Sequence, residues 1–150
     1  MREPVTVLVI LFRLDGDEPG YAVFRRADDL NGQSVSGGVE SGETLVAAAR
    51  REVLEETGFS GGALHPLDMT SGVEKECFDA SRYWPDDLYI VRKHYFGMET
   101  SADITLSDEH VDVRWLPYRQ AYEALRYDDD RTALWELDAR IRRRDLTPAR

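Results

Sequence analysis

The feature that most constrains this chain of 150 residues is the segment from Gly37 to Phe59, in which glycines lead into an acidic helical pattern. Positions 44 to 57 carry mostly good helix formers, including three consecutive alanines. Thr44 suits the N-cap, and Gly58 suits the left-handed residue that commonly follows a helix. The segment therefore predicts one capped helix directly after a glycine-rich stretch.

Three carboxylates share one side of this predicted helix. At about 100° per residue, Glu52, Glu55 and Glu56 fall within an arc of roughly 100°. One turn earlier the same arc carries Ala48 and Ala49, so the face is expected to point toward protein or a cleft. Acids in such a place must be paired, protonated or bound to a cation.

A metal ion is the cation that these residues favour. Arg51 can reach Glu55 at i+4, but one arginine cannot neutralise the three helical acids and Glu43. Mg²⁺, and after it Mn²⁺, takes oxygen ligands and shares substrate phosphates. A Glu-rich helix alone is more often a solvated surface in an acidic chain. Gly37 and Gly38 favour the metal site, because glycines allow the backbone to approach an ion closely.

The spacing of these residues resembles the Nudix box. The matching positions are Gly37, five residues, Glu43, seven residues, Arg51-Glu52-Val53, one residue, Glu55-Glu56, one residue and Gly58-Phe59. The resemblance implies a Nudix hydrolase: an α/β fold, an α/β/α sandwich around a mixed β-sheet, that cleaves nucleoside-diphosphate-linked substrates with Mg²⁺.

The same resemblance implies a role for each position. The implied metal ligands are Glu52, Glu55, Glu56 and the main-chain carbonyl of Gly37. Arg51 and Glu43 would form an ion pair that orients the loop against the helix, and Gly58 would end the helix. The general base is either Glu52 of the box or an acid of a later loop, for which Glu109 is the candidate. Glu109 is also a candidate metal ligand, and its structural alternative is a solvated turn residue.

Outside the box, residues 5 to 140 resemble the dihydroneopterin triphosphate pyrophosphatase branch of the family. The segments that carry this resemblance are 25–29, 33–37, 107–110 and 114–116. Gly32 departs from the branch, which tends to carry an aromatic residue there. The candidate substrate-binding residues are Arg25, Arg26, Gln33 and Trp84.

Each of those candidates has a structural alternative. Arg25 and Arg26 alternate on a predicted strand, so at most one faces the cleft, and either could instead pair with Asp28 or Asp29. Trp84 could stack on a flat base or pterin, as could Tyr83 and Tyr89, or could pack in the core or at its rim.

Composition narrows the possible partners. A net charge of −10 argues against binding nucleic acid polymers and favours a small polyphosphate substrate. The lone cysteine, Cys77, excludes an internal disulfide and suggests the cytoplasm. Val5 to Leu14 is apolar but too short to cross a membrane. The length predicts one domain, 1–150, with a frayed tail at 145–150, and no feature indicates an oligomeric state.

Periodicity and turn residues predict the remaining elements. The expected strands are 5–12, 21–26, 33–36, 63–70, 88–98 and 111–116; further helices are expected at 117–125 and 131–144, and an irregular loop at 71–87. Asp128 to Asp130 is expected to cap the last helix and add solubility.

These patterns together predict a Mg²⁺-dependent pyrophosphohydrolase, with dihydroneopterin triphosphate as the favoured substrate by resemblance. A MutT-type house-cleaning nucleoside triphosphatase is the alternative enzyme. A nucleotide-binding sensor without catalysis is a third hypothesis, which the presence of Glu52, Glu55 and Glu56 disfavours.

Overall fold

The structure is a computed structural model that describes residues 1–28, 30–101 and 103–150. Seven strands in these residues are β1 (Arg2–Arg13), β2 (Gly20–Arg26), β3 (Gly32–Gln33), β4 (Val35–Glu40), β5 (Leu64–Glu74), β6 (Ile90–Glu99) and β7 (His110–Leu116). Three α-helices are α1 (Leu45–Thr57), α2 (Tyr118–Ala124) and α3 (Asp128–Arg143). No helix among the described residues is long and apolar enough to cross a bilayer.

Strand β1 is the centre of a mixed sheet with the order β3-β2-β1-β6-β5. It runs parallel to β6 and antiparallel to β2 and β4, while β7 joins the sheet through β2. Residues 6 to 12 of β1 are all buried, as a nearly continuous apolar run predicts for a strand covered on both faces.

Helices cover the two faces of this sheet. Val7 and Val9 of β1 pack in the core beneath α1, whereas Leu8 and Ile10 pack in a second core with residues of α2 and α3. The split follows from the pleat, because successive side chains of a strand point to opposite faces. The layers form the α/β/α sandwich expected from the sequence.

The glycine stretch is part of a strand and not a loop, which corrects the prediction that β4 ends at Ser36. Gly37 and Gly38 lie within β4, opposite Val7 and Thr6 of β1. Both glycines therefore act by leaving space for neighbouring side chains. The turn before α1 instead uses Gly42, whose φ of 83° is the left-handed conformation that glycine tolerates.

The segment 71–87 is more regular than expected. Strand β5 continues to Glu74, after a register irregularity that follows Pro66, and two short 3₁₀ turns then span Lys75–Cys77 and Asp79–Tyr83. Proline lacks the amide donor of a regular ladder, which accounts for the irregularity at that point.

Asp130 differs from its neighbours in the acidic run. Asp128 and Asp129 lie in the first turn of α3, where anions complement the helix dipole. Asp130 is buried and accepts hydrogen bonds from Lys93 Nζ at 2.8 Å and Tyr95 Oη at 3.1 Å. It attaches α3 to β6, so a solubility role does not describe it.

The C-terminal residues, expected to fray, are packed. The main-chain N–H of Ala149 donates to the carbonyl of Leu64 at 2.7 Å, and the Leu146 side chain packs against the core beneath α2 and α3. Leu146 and Ala149 thus attach the tail beside β5, while four of its six residues are exposed.

We expect Leu146→Ala to lower the free energy of unfolding by about 1–2 kcal/mol, because a half-buried leucine loses its apolar contacts. Urea denaturation measures the change. The control Leu14→Ala removes an exposed leucine and should shift stability by less than about 0.5 kcal/mol. Equal stability of the two variants would show that the tail does not pack.

Candidate active site

Helix α1 is fixed at both ends by caps that the sequence predicts. The Thr44 hydroxyl accepts from the N–H of Ala47 at 3.0 Å, and Gly58 adopts a φ of 73° and donates to the carbonyl of Leu54. The helix buries Ala48, Ala49 and Val53 against the sheet. The caps and this apolar face determine where the acids of the last two turns point.

Glu52 lies against Gly37 of β4. A Cβ atom added at Gly37 would lie 2.0 Å from the Glu52 carboxyl carbon, so no other residue fits there while the carboxylate keeps its place. The Glu52 side chain is only 12% exposed. Burial raises its pKa, while the hydrogen bond from Arg51 opposes that shift.

Arg51 connects the acids to the loop that precedes the helix. Its guanidinium donates to both carboxylate oxygens of Glu43, at 2.7 and 2.9 Å, and to the carbonyl of Gly38 at 2.8 Å. It also donates to Glu52 at 2.7 Å and to Glu55 at 3.3 Å. The hydrogen bonds from Arg51 lower the pKa of Glu43 to about 2, so this pair stays charged at all ordinary pH values.

Glu56 is the most perturbed acid of the site. It is 5% exposed, and its Oε2 atom has no hydrogen-bond partner among the described residues. Burial, followed by repulsion from Glu109 and Glu52, raises the pKa of Glu56 to about 9. Without a cation nearby, this carboxyl group holds its proton at neutral pH.

The loop before β7 brings Glu109 to the same place. Its main chain is tied to α1, because the N–H of Ser107 donates to the carbonyl of Glu56 at 3.2 Å. On the other side, the N–H of Ala27 donates to the carbonyl of Glu109 at 2.9 Å. Glu109 follows the helix by about fifty residues in sequence, and these two main-chain hydrogen bonds place it beside the helix in space.

Two adjoining clefts meet at these residues. The first, which we call the acidic cleft, has a volume of about 550 Å³ and is lined by Glu40, Glu52, Glu55 and Glu109 together with Arg2, Arg26 and Arg51. The second, the ring cleft, has a volume of about 680 Å³ and includes Phe78, Tyr127, Asn31, Lys93 and Asp129. Phe78 and Gln33 line both clefts, so the two clefts adjoin at these residues.

The residues of the acidic cleft fit a hard divalent cation. Glu52 lines the cleft beside Gly37, where β4 has no side chain, and Glu56 lies buried behind the lining with an oxygen that has no hydrogen-bond partner among the described residues, so both carboxylates could serve as ligands. Within the described residues, no three acidic, histidine or cysteine side chains already converge on one point. Ion pairs with Arg51 hold Glu52 and Glu55, which partly explains why the carboxylates do not converge.

The two arginines of β2 face opposite ways, as the strand alternation predicts. Arg25 is paired with Asp112 of β7 through its Nε at 2.9 Å, and it lines neither cleft. Arg26 lines both clefts and forms an ion pair with Asp28 at 2.7 Å. Asp29, the other predicted partner, lies outside the described residues.

Gln33 and Trp84 occupy different environments. Gln33 lies in the cleft, with its amide nitrogen 2.6 Å from the Nε2 atom of His110. Trp84 is buried away from both clefts, and its indole N–H donates to the carbonyl of Arg2 at 2.9 Å. The Trp84 ring contacts the ring of Phe78, and Phe78 is an aromatic residue that does line the clefts.

Sequence reasoning missed Arg2 and Phe78. Phe78 follows a 3₁₀ turn in a stretch without periodicity, so no local pattern marks it. Arg2 lies three residues before the predicted start of β1 at Val5, whereas the observed strand already begins at Arg2.

A family model for the NUDIX domain matches residues 2–136 of this chain. The chain belongs to the Nudix family. It is a hydrolase that acts on phosphoanhydride bonds, and Nudix hydrolases generally use divalent metal ions. The resemblance inferred from the box is therefore confirmed, and so is the fold class.

Three similar proteins extend the comparison. A dihydroneopterin triphosphate diphosphatase of Escherichia coli K12 is 38% identical over 121 residues, covering 77% of this chain and 79% of the relative. An RNA pyrophosphohydrolase of Caulobacter vibrioides is 34% identical over 119 residues, covering 71% and 67%. A NUDIX hydrolase structure from Listeria monocytogenes superposes with a TM-score of 0.86 at 28% identity, covering 98% and 100%.

The raised pKa of Glu56 predicts a pH-dependent stability of the metal-free protein. The folded-state pKa of about 9 exceeds the ordinary 4.5, so the stability contribution of this group is fully present below about pH 4.5 and is lost as the pH rises to about 9, because the unfolded chain ionises its Glu56 first. Glu56→Gln cannot lose a proton. In EDTA, its free energy of unfolding relative to wild type should therefore rise by more than about 1 kcal/mol between pH 5 and pH 8.

Urea unfolding at several pH values measures this difference. Glu123→Gln, which changes an exposed acid of α2, should follow the pH dependence of the wild type. A constant difference between Glu56→Gln and wild type across the range would contradict a buried, protonated Glu56.

Proposed function

We propose that this Nudix hydrolase is a Mg²⁺-dependent pyrophosphohydrolase of a small triphosphate with a flat ring, with dihydroneopterin triphosphate as the favoured substrate. The observation that carries the proposal is the junction of the acidic cleft with the ring cleft. A cleft of about 680 Å³ is in the size range of small-molecule sites, and it holds the rings of Phe78 and Tyr127. Residues 1–150 would work as one domain, since both clefts draw on elements from β1 to α3.

The ligands that would hold the metal are Glu52, Glu55, Glu56, Glu109 and the main-chain carbonyl of Gly37. Mg²⁺, when bound, would neutralise charge on the phosphate oxygens and favour the ionised form of the acids. Arg51 would keep its ion pair with Glu43 and so maintain the position of the helix relative to β4.

Water attacks one phosphorus in line with the leaving oxygen, and a carboxylate takes the proton of that water. Glu52 and Glu109 are the two candidates for this base. Arg51 donates a hydrogen bond to Glu52 and favours its ionised form, whereas Glu109 is an exposed acid on the rim of the cleft. Comparing variants of the two residues therefore shows which of them the reaction depends on.

The flat ring of the substrate would lie in the ring cleft. The Phe78 ring lies where the two clefts join, so it could contact a ring whose phosphates occupy the acidic cleft. Gln33 and Lys93 offer hydrogen bonds around it. The Escherichia coli relative acts on a triphosphate of this shape by its name, which favours dihydroneopterin triphosphate.

Two other substrate classes share the same phosphate chemistry. A MutT-type activity on nucleoside triphosphates would use the same ring cleft for a purine. The Caulobacter relative is named for RNA, but the net charge of −10 disfavours contact with a polymer of phosphates. A small triphosphate remains the proposal that fits both the charge and the volume.

We expect Mg²⁺-dependent pyrophosphate release from dihydroneopterin triphosphate, and none in EDTA. The assay panel should include the eight common nucleoside triphosphates, ADP-ribose, a dinucleoside polyphosphate and a 5′-triphosphorylated RNA. Faster turnover of a nucleotide or the RNA than of the pterin would reject the substrate assignment alone. Absence of turnover across the panel would reject the enzymatic proposal.

Two variants and one control test the two candidate bases. Loss of the base should lower kcat by about 10²- to 10⁴-fold, and we expect this fall for either Glu52→Gln or Glu109→Ala. Glu123→Gln should match the wild type, because it changes an exposed acid outside both clefts. A Glu109→Ala rate within about threefold of wild type would remove Glu109 from the site.

A further inference from the structure

Arg2 is a cation of the acidic cleft that has no role in the Nudix box. It begins β1, where its main chain lies opposite Glu40 of β4 in the sheet, and it lines the acidic cleft together with acids of α1. Its Nη2 atom donates to the Thr6 hydroxyl at 3.0 Å. Its Nε atom is buried and has no hydrogen-bond partner in the described part of the chain.

The Arg2 guanidinium is held between two surfaces. On one side it lies on Gly38, where an added Cβ would be 2.6 Å from both Cζ and Nε of the arginine. On the other side the Phe78 ring centroid is 4.8 Å from its Cζ. The main chain of Arg2 is fixed as well, because its carbonyl accepts the indole N–H of Trp84.

Gly37 and Gly38 thus serve two side chains that approach β4 from its two faces. Glu52 takes the space beside Gly37, and Arg2 takes the space beside Gly38. Alternation along the strand puts them on opposite sides, while both line the acidic cleft. Burial lowers the pKa of Arg2, while the charges of Glu52 and Glu40 oppose that shift.

The other arginines of this cleft are already ion-paired. Arg51 is bound by Glu43 and Glu52, and Arg26 is bound by Asp28. No carboxylate of the described residues lies within ion-pair distance of Arg2. A half-buried cation whose Nε atom has no partner is stabilised when a ligand supplies an anion.

We propose that Arg2 binds a phosphate oxygen of the polyphosphate substrate, next to the phosphorus that the carboxylates serve. The inference rests on the proposed function for the identity of its ligand. A planar guanidinium with unused N–H donors matches phosphate geometry, and contact with Gly38 and Phe78 holds its plane in advance. Arg2 is thus a substrate-binding residue, and Gly38 is a positioning residue for it.

Binding of inorganic tripolyphosphate in the presence of Mg²⁺, followed by calorimetry, tests the proposal directly. Arg2→Gln should bind it about tenfold to a hundredfold more weakly than wild type, the range for a lost hydrogen bond to a charged group. Arg2→Lys should lose about three- to tenfold, because it keeps the charge without the forked donors. Arg119→Gln removes an exposed arginine of α2 and should bind within about twofold of wild type.

Gly38→Ala provides a test in which Arg2 is still present. The new methyl group would displace the guanidinium, so binding should weaken about threefold or more while the Arg51 contact to the main chain remains. It also keeps the proposal testable if Arg2→Gln does not fold, which thermal melting would show. Tripolyphosphate affinities of Arg2→Gln and Gly38→Ala equal to wild type would overturn the proposal, as would absence of binding by the wild type.

These measurements distinguish a failure of the proposed enzymatic function from a failure of the proposed role of Arg2. Tripolyphosphate binding that depends on Arg2, without turnover of any substrate on the panel, would reject the enzymatic function and retain the phosphate site. Turnover with an unchanged KM in Arg2→Gln would retain the function and reject the role of Arg2. A raised KM with kcat changed by less than about threefold is the expected result.

Discussion

The arrangement of the acidic cleft depends on one guanidinium, that of Arg51. It joins Glu43 of the preceding loop, the Gly38 carbonyl of β4 and Glu52 of its own helix. Helix, turn and strand are therefore held at fixed distances by hydrogen bonds between groups that stay ionised at ordinary pH. Because Glu52 fits only against a residue without a side chain, that fixed distance in turn requires Gly37.

The charges of the cleft predict that a metal ion and a polyphosphate each bind weakly without the other. Burial of Glu56, followed by repulsion from Glu109 and Glu52, raises its pKa enough that it keeps a proton without a cation. The same acids repel a polyphosphate. A divalent cation relieves both repulsions at once, and Arg2 adds a positive charge on the opposite face of β4. Metal and substrate are thus expected to bind cooperatively, each lowering the electrostatic cost of the other.

Local patterns predicted the parts of the molecule that local forces determine. The caps Thr44 and Gly58 fixed the helix because each bonds within a few residues of itself. Contacts between distant segments could not be read in this way. Trp84 is buried because it meets Arg2, 82 residues earlier, and the glycines of β4 belong to a strand because β1 needs a partner. Asp130 likewise is a buried residue because it accepts hydrogen bonds from Lys93 and Tyr95 of a distant strand.

Gly32 shows how a departure from the family pattern follows from packing. A Cβ at this position would lie 2.1 Å from the carbonyl oxygen of Ala124 at the end of α2, and the Gly32 carbonyl accepts from the N–H of Arg126. An aromatic side chain has no room there unless α2 moves away from β3. The ring cleft therefore takes its aromatic surfaces from Phe78 and Tyr127, on segments far from Gly32 in sequence. Because Phe78 also contacts the Arg2 guanidinium, the proposed ring and phosphate contacts would share this ring as their common support.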